Sequence, residues 1–217
     1  MAMSPTDILE RRVPAVAGPG GPLGPGEPGL GGDGGGRPEP TPRDIARFGI
    51  WLMLGTMSMM FIGFTSSYMV RRAAGDWRPL PMPSMLWVNT LALLASSVAI
   101  ETARRALKAW DLPGAQRGLG LTGLLGLAFA AGQFVAWRQL AGLGVFLSSH
   151  PHSSFFYMLT GVHLVHLAGG LAWFTVAFAR LRRLAYAPGE DGLGLFAIYW
   201  HFLAALWAYL LLLLFVI

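Results

Sequence analysis

The chain has 217 residues, 54% of them hydrophobic and 12% charged, with a mean hydropathy of +0.52. Soluble domains carry about 25% charged residues, so this composition belongs to an integral membrane protein. The absence of cysteine excludes disulfides, thiolate metal sites and cysteine nucleophiles. The net charge of +5 is carried by Arg at the ends of apolar runs, which suits topology and lipid headgroups and argues against nucleic acid.

Residues 1–42 differ from the rest. From Val13 to Pro42, 19 of 30 residues are Gly or Pro. Such a segment buries too little to offset its ordering entropy, so a disordered tail is expected, or an arm that orders against a partner subunit. It has no apolar stretch of the kind a secretory signal needs. A membrane domain is expected over 43–217.

Thr41-Pro42-Arg43-Asp44 has the residues of a helix start: a capping Thr, Pro at the first helical position, and Asp near the positive end of the dipole. The uncharged run Phe48–Val70 follows, long enough to cross a bilayer, and predicts a first helix over 43–71. Asp76-Trp77-Arg78 and three prolines make a short interfacial loop. The second helix is expected over 84–108, closed by Glu101, Arg104, Arg105 and Lys108. The third, over 118–140, is rich in Gly, and Gly126-xxx-Ala130 and Ala128-xxx-Gly132 are pairs that let helices approach closely. No formal charge occurs from Gln139 to Ala179, which is too long for one span. Ser148–Ser154, SSHPHSS, therefore reads as an exposed loop, with His150 and His152 too few to make a strong metal site. The fourth helix is expected over 154–182 and the fifth over 192–216, joined by a turn at Pro188–Gly192.

The result is an all-α integral membrane protein, a bundle of five transmembrane helices. The two sides of the bundle differ in Lys and Arg, 12 against 4, which puts the N-terminus in the cytoplasm and the C-terminus outside. None of the uncharged runs contains Asp, Glu, Lys or Arg. That counts against an ion-coupled transporter or channel, and no cluster of acid, base and nucleophile is available for catalysis.

Three of the five histidines lie inside the expected helices. His163 and His166 are three apart and share a face, and His166 and His201 fall at comparable depth on neighbouring helices. Two readings follow. The rings can bond to carbonyls or hydroxyls of facing helices and lock the bundle. Alternatively, His166 and His201 can ligate a haem, as in a b-type membrane cytochrome. Trp200, Phe202 and Trp207 around His201 fill space and weigh toward the first.

The stretch Phe155–Gly170, with Gly161-Val162-His163-Leu164-Val165-His166-Leu167-Ala168-Gly169-Gly170 at its core, resembles the signature of haem-copper oxidase subunit III. Tyr199-Trp200-His201-Phe202 with Trp207 is similar to the last helix of that family. Trp51-Leu52-Met53-Leu54, Asn89-Thr90-Leu91 with Ser96-Ser97, and Gly132-Gln133 with Trp137-Arg138-Gln139-Leu140 match in the same order, over about residues 45 to 217. The resemblance implies a short five-helix form of cytochrome c oxidase subunit III, without the first two helices of the seven-helix form. It implies an accessory role, with no catalytic residue, metal or cofactor in this chain, and with haem and copper in the partner subunits. Subunits I and II are the implied partners, with a small subunit IV as a further candidate, alongside membrane phospholipid. The implied place is the bacterial inner membrane, in a proton-pumping aerobic oxidase; a quinol oxidase or nitric oxide reductase is the alternative complex. His163, His166, Tyr199, Trp200, His201, Trp207 and Gln133 are implied packing residues. Trp51, Arg71, Arg72, Trp77, Arg104 and Arg105 are candidate lipid contacts at the two interfaces. Three family carboxylates are missing, with Met57, Ala136 and Ala204 in their places, so the resemblance implies no direct proton donation by this chain.

Overall fold

The computed structural model describes residues 41–74, 83–183 and 192–215. The Gly/Pro-rich segment up to residue 40, Trp77 and the turn at Pro188–Asp191 lie outside the described residues. The described chain forms five helices: α1 (Pro42–Arg72), α2 (Met85–Lys108), α3 (Leu112–Gly142), α4 (Pro151–Arg182) and α5 (Gly194–Phe215). All five are long and apolar enough to cross a membrane. At 1.5 Å per residue the 22 residues of α5 span about 33 Å, close to the hydrocarbon thickness, whereas the 31 or 32 residues of α1, α3 and α4 overrun it by several turns. The overrunning turns carry arginines. The end of the bundle where α1 begins is here termed proximal and the opposite end distal.

The start of α1 is as expected: the Asp44 backbone N–H donates to the Thr41 hydroxyl at 3.3 Å, and Thr41 N–H donates back to Asp44 Oδ2 at 3.2 Å. Two other starts come earlier than expected. α3 begins at Leu112, with Asp111 Oδ1 accepting from Gly114 N–H at 3.0 Å and Pro113 in the first turn, so Arg117 lies inside the helix. The uncharged run marks where hydrocarbon begins, but a capped helix extends beyond it into the interface. α4 begins at Pro151, with His150 N–H donating to Ser153 Oγ at 3.0 Å. The SSHPHSS segment is therefore largely helical, and the exposed loop expected there is confined to 143–150.

α3 packs between α2 and α4, and α5 contacts α1, α2 and α4. α2 and α3 approach most closely: a Cβ on Gly118 would meet the Ala103 backbone N at 2.9 Å. Of the small-residue pairs, Gly126 and Gly132 are buried at helix contacts, whereas Ala128 is exposed. Among the described helices α1 touches α4 and α5 alone, through a narrow seam of Ile50, Leu54, Phe61 and Tyr68, and exposes Phe48, Trp51, Leu52, Met59 and Ile62.

Candidate functional site

The middle of the bundle is joined by indoles and hydroxyls. Trp200 Nε1 donates to Ser96 Oγ at 2.9 Å, Trp207 Nε1 to Thr90 Oγ1 at 3.1 Å, and Trp137 Nε1 to Thr160 Oγ1 at 3.1 Å. These bonds tie α5 to α2 twice and α3 to α4 once. Tyr199 Oη donates to the His166 carbonyl at 2.8 Å and joins α5 to α4. Thr65 and Tyr209 share a hydroxyl contact of 2.7 Å between α1 and α5, and Asn89 Nδ2 reaches Gln133 Oε1 at 3.5 Å between α2 and α3. Each hydroxyl sits on its own helix and can bond a backbone carbonyl while still accepting from a neighbour; Thr160 donates to Phe156 O at 2.6 Å and Thr90 to Leu86 O at 2.8 Å. These indoles and hydroxyls are thereby satisfied in hydrocarbon without any charge, whereas Gln133 Nε2 and Ser97 Oγ stay buried without a partner.

The histidines do less cross-linking than expected. His163 is fully buried between Phe129, 5.7 Å between ring centres, and Trp207, 5.3 Å, and neither ring nitrogen has a hydrogen-bond partner. Its contacts to α3 and α5 are face and edge contacts between rings. His166 bonds through Nδ1 to Val162 O at 2.8 Å, one turn back on its own helix, and packs against Phe61 of α1. His201 is exposed and stands within electrostatic reach of Glu101 and Arg104 on α2. Since α1 and α2 do not touch, His166 and His201 address different neighbours, and the geometry gives no support to haem ligation by the pair. Among the described residues no group of three or more His, Asp or Glu is placed to hold a metal ion.

The expectation of an exposed His152 is corrected. It is 4% exposed in the first turn of α4, its Nε2 is 3.0 Å from Leu214 O, and Tyr68 of α1 packs on it at 6.0 Å. A histidine flanking a proline in a polar segment reads as loop, but Pro151 starts the helix and turns His152 inward. Its ring closes the distal end of the bundle by capping a carbonyl in the last turn of α5.

Glu101 lies within α2, seven residues before its end, and pairs with Arg104 at 3.0 Å and Arg105 at 3.4 Å. Arg104 also lines a proximal cavity of about 560 Å³ together with Arg43, Arg47, Trp51, Arg180 and the start of α5. The structure thus brings together two of the expected lipid contacts, Trp51 and Arg104, and adds three arginines that sequence reasoning left out. Arg105 points away, with 78% of its side chain exposed. At the distal end Arg71 lines an open cleft of about 1020 Å³ with Ser66, Ser67, Ser148, Ser149 and His150, and Arg72 is exposed in the last turn of α1.

The cytochrome c oxidase subunit III family matches residues 41–217, all of the described chain. The chain belongs to the cytochrome c oxidase subunit III family. It is similar to a probable cytochrome c oxidase subunit 3 of Mycobacterium tuberculosis, 32% identical over 165 residues that cover 73% of this chain and 81% of the relative. It is also similar to cytochrome c oxidase subunit 3 of Synechocystis, 29% identical over 181 residues covering 80% and 76%, and of Corynebacterium diphtheriae, 30% over 168 residues covering 73% and 82%. As a subunit III, this multi-pass membrane chain is part of a haem-copper oxidase complex with other oxidase subunits.

Within subunit III only some of the signature residues fall along the aromatic seam, His201 being exposed outside it. Tyr199, Trp200 and Trp207 are buried in it, and Gln133 is buried beside Asn89. Their hydroxyl partners Thr90, Ser96 and Thr160 carried no assigned role in the sequence. The one signal available was the presence of buried-type hydroxyls in otherwise uniform apolar helices, which needs a map of facing helices before it can be used.

Proposed function

We propose that this subunit III is an accessory, non-catalytic wall of a bacterial aerobic terminal oxidase in the inner membrane. It packs beside subunit I, with subunit II and a small subunit IV as further candidates, and haem and copper reside in those partners. Its N-terminus is cytoplasmic and its C-terminus external. It holds phospholipid against the complex and so sustains oxygen reduction and proton pumping by subunit I. The proximal cavity is the observation that carries this reading. Four guanidiniums from three helices line it beside the exposed indole of Trp51, at the end that the proposed orientation turns to the inner leaflet. Glu101 pairs with Arg104 and Asp44 lies within electrostatic reach of Arg47; a phosphate set among these guanidiniums is the ligand the grouping suits.

The test is made in the whole oxidase. Arg47→Gln with Arg180→Gln should lower the phospholipid retained per complex and shorten its catalytic lifetime in turnover, with haem spectra unchanged. Wild-type lipid content in that variant would overturn the lipid role. The accessory role would fall if His166→Leu or His201→Leu removed a haem from the complex.

A further inference from the structure

At the distal end, on the side of α3 away from α2, a second cavity of about 530 Å³ is lined by Phe134, Trp137, Arg138, Ala141, Phe146, Leu147 and Tyr157. Its size lies in the range of ligand-holding clefts, and its walls are almost wholly apolar. It is built rather than incidental. Tyr157 Oη bonds Val145 O at 3.0 Å and Trp137 O at 3.3 Å, so α4 holds both the end of α3 and the connecting loop. Phe146 N–H donates to Ser149 Oγ at 2.9 Å, and Ser154 Oγ donates to Leu147 O at 2.6 Å. These bonds fix the loop that presents Phe146 and Leu147, both more than half exposed, as the outer wall.

Arg138 stands on the rim, exposed. The described carboxylates, Asp44, Glu101 and Asp111, all belong to the proximal end, so no described acid pairs with it. Trp137 and Tyr157 beside it are residues of the kind that sit at headgroup level. We propose that this groove is a second phospholipid site, in the distal leaflet: one acyl chain lies among Phe134, Trp137, Phe146 and Leu147, and Arg138 receives the phosphate of an anionic headgroup. The site rests on the chain being a membrane-spanning subunit, but not on lipid at the proximal cavity.

The test uses the purified oxidase, delipidated and given phosphatidylglycerol or phosphatidylcholine, with bound lipid counted by native mass spectrometry. Ala141→Trp, which fills the groove, should remove one bound phosphatidylglycerol. Arg138→Gln should weaken phosphatidylglycerol binding about fivefold relative to phosphatidylcholine. Arg47→Gln with Arg180→Gln should leave this lipid in place, which separates the two sites. Because the chain has no cysteine, Leu147→Cys can carry a single benzophenone label. A phospholipid adduct supports the proposal. An adduct to a partner polypeptide, no lipid adduct, or equal lipid counts in wild type and Ala141→Trp overturns it.

Discussion

Gly126→Ala is the sharpest probe of the aromatic seam. A Cβ at residue 126 would lie 2.7 Å from Cη2 and 2.9 Å from Cζ2 of Trp200, and 3.3 Å from Cδ2 of Leu171. Carbon atoms prefer about 3.5–4.0 Å, so the indole must withdraw by nearly 1 Å. It cannot do so freely, because it is fully buried and its Nε1 is held by Ser96 at 2.9 Å. Either that bond breaks, leaving a buried donor unmet, or α3 moves away from α5. Overpacking of this kind costs about 1–3 kcal/mol. With a conversion of about 2–4 °C per kcal/mol for a chain of this size, thermal release of subunit III from the purified oxidase should occur several degrees lower. Gly120→Ala on the same helix is the control. Its added Cβ meets Phe178 at an ordinary 3.9 Å, and helix propensity should stabilise it by up to about 1 kcal/mol. The double variant Gly126→Ala/Ser96→Ala should cost less than the sum of its parts, since the constraint on the indole is already gone. Equal release temperatures for Gly126→Ala and Gly120→Ala would refute the tight packing of Trp200 against α3.

Other outcomes follow from particular contacts. His163→Leu should be neutral or slightly stabilising in the same release assay, because no hydrogen bond is lost, whereas His163→Ala should cost about 2–4 kcal/mol through the cavity between Phe129 and Trp207. A loss of more than about 2 kcal/mol in the Leu variant would show that the imidazole has a polar partner after all. His152→Phe should cost about 1 kcal/mol and raise amide exchange at the end of α5, since the Leu214 carbonyl loses its donor. Asp111→Ala should cost about 1 kcal/mol and fray the first turn of α3, while Asp111→Asn should be close to neutral. Exchange protection at Gly114 and Ala115 unchanged by the Ala substitution would argue against the cap.

The five helices were legible because hydrocarbon imposes a length and a composition that few other segments satisfy. Phe48–Val70 could hardly be anything else. What the apolar runs do not show is where a helix goes after leaving the hydrocarbon. Leu112 and Pro151 start their helices through Asp111 and His150, and those caps look the same in sequence as the polar loops around them. The signature residues were legible as a group, but their tasks were not. Histidine has the stronger hydrogen-bonding side chain on paper, so His163 and His166 looked like the cross-links. In the bundle His163 has no polar partner and His166 bonds within its own turn, while Trp137, Trp200 and Trp207 make the bonds between helices. The proximal arginines were counted for topology, and their convergence depends on the start of α1 and the ends of α2 and α4 lying around one cavity, which no spacing along the chain encodes.

The choice of indole and hydroxyl as cross-link bears on what the subunit can do. An ionisable pair in the same seam would have to be desolvated and would offer a proton a place to stop. Ala136 and Ala204 are buried, and Met57 is half-buried on α1. With these positions apolar, the bonds in the seam are made by neutral indoles and hydroxyls. Charge is moved outward toward the helix ends, where Glu101 pairs with Arg104 and Arg105. A wall built this way joins its helices without a buried ion pair, so no desolvated charge has to be compensated inside it.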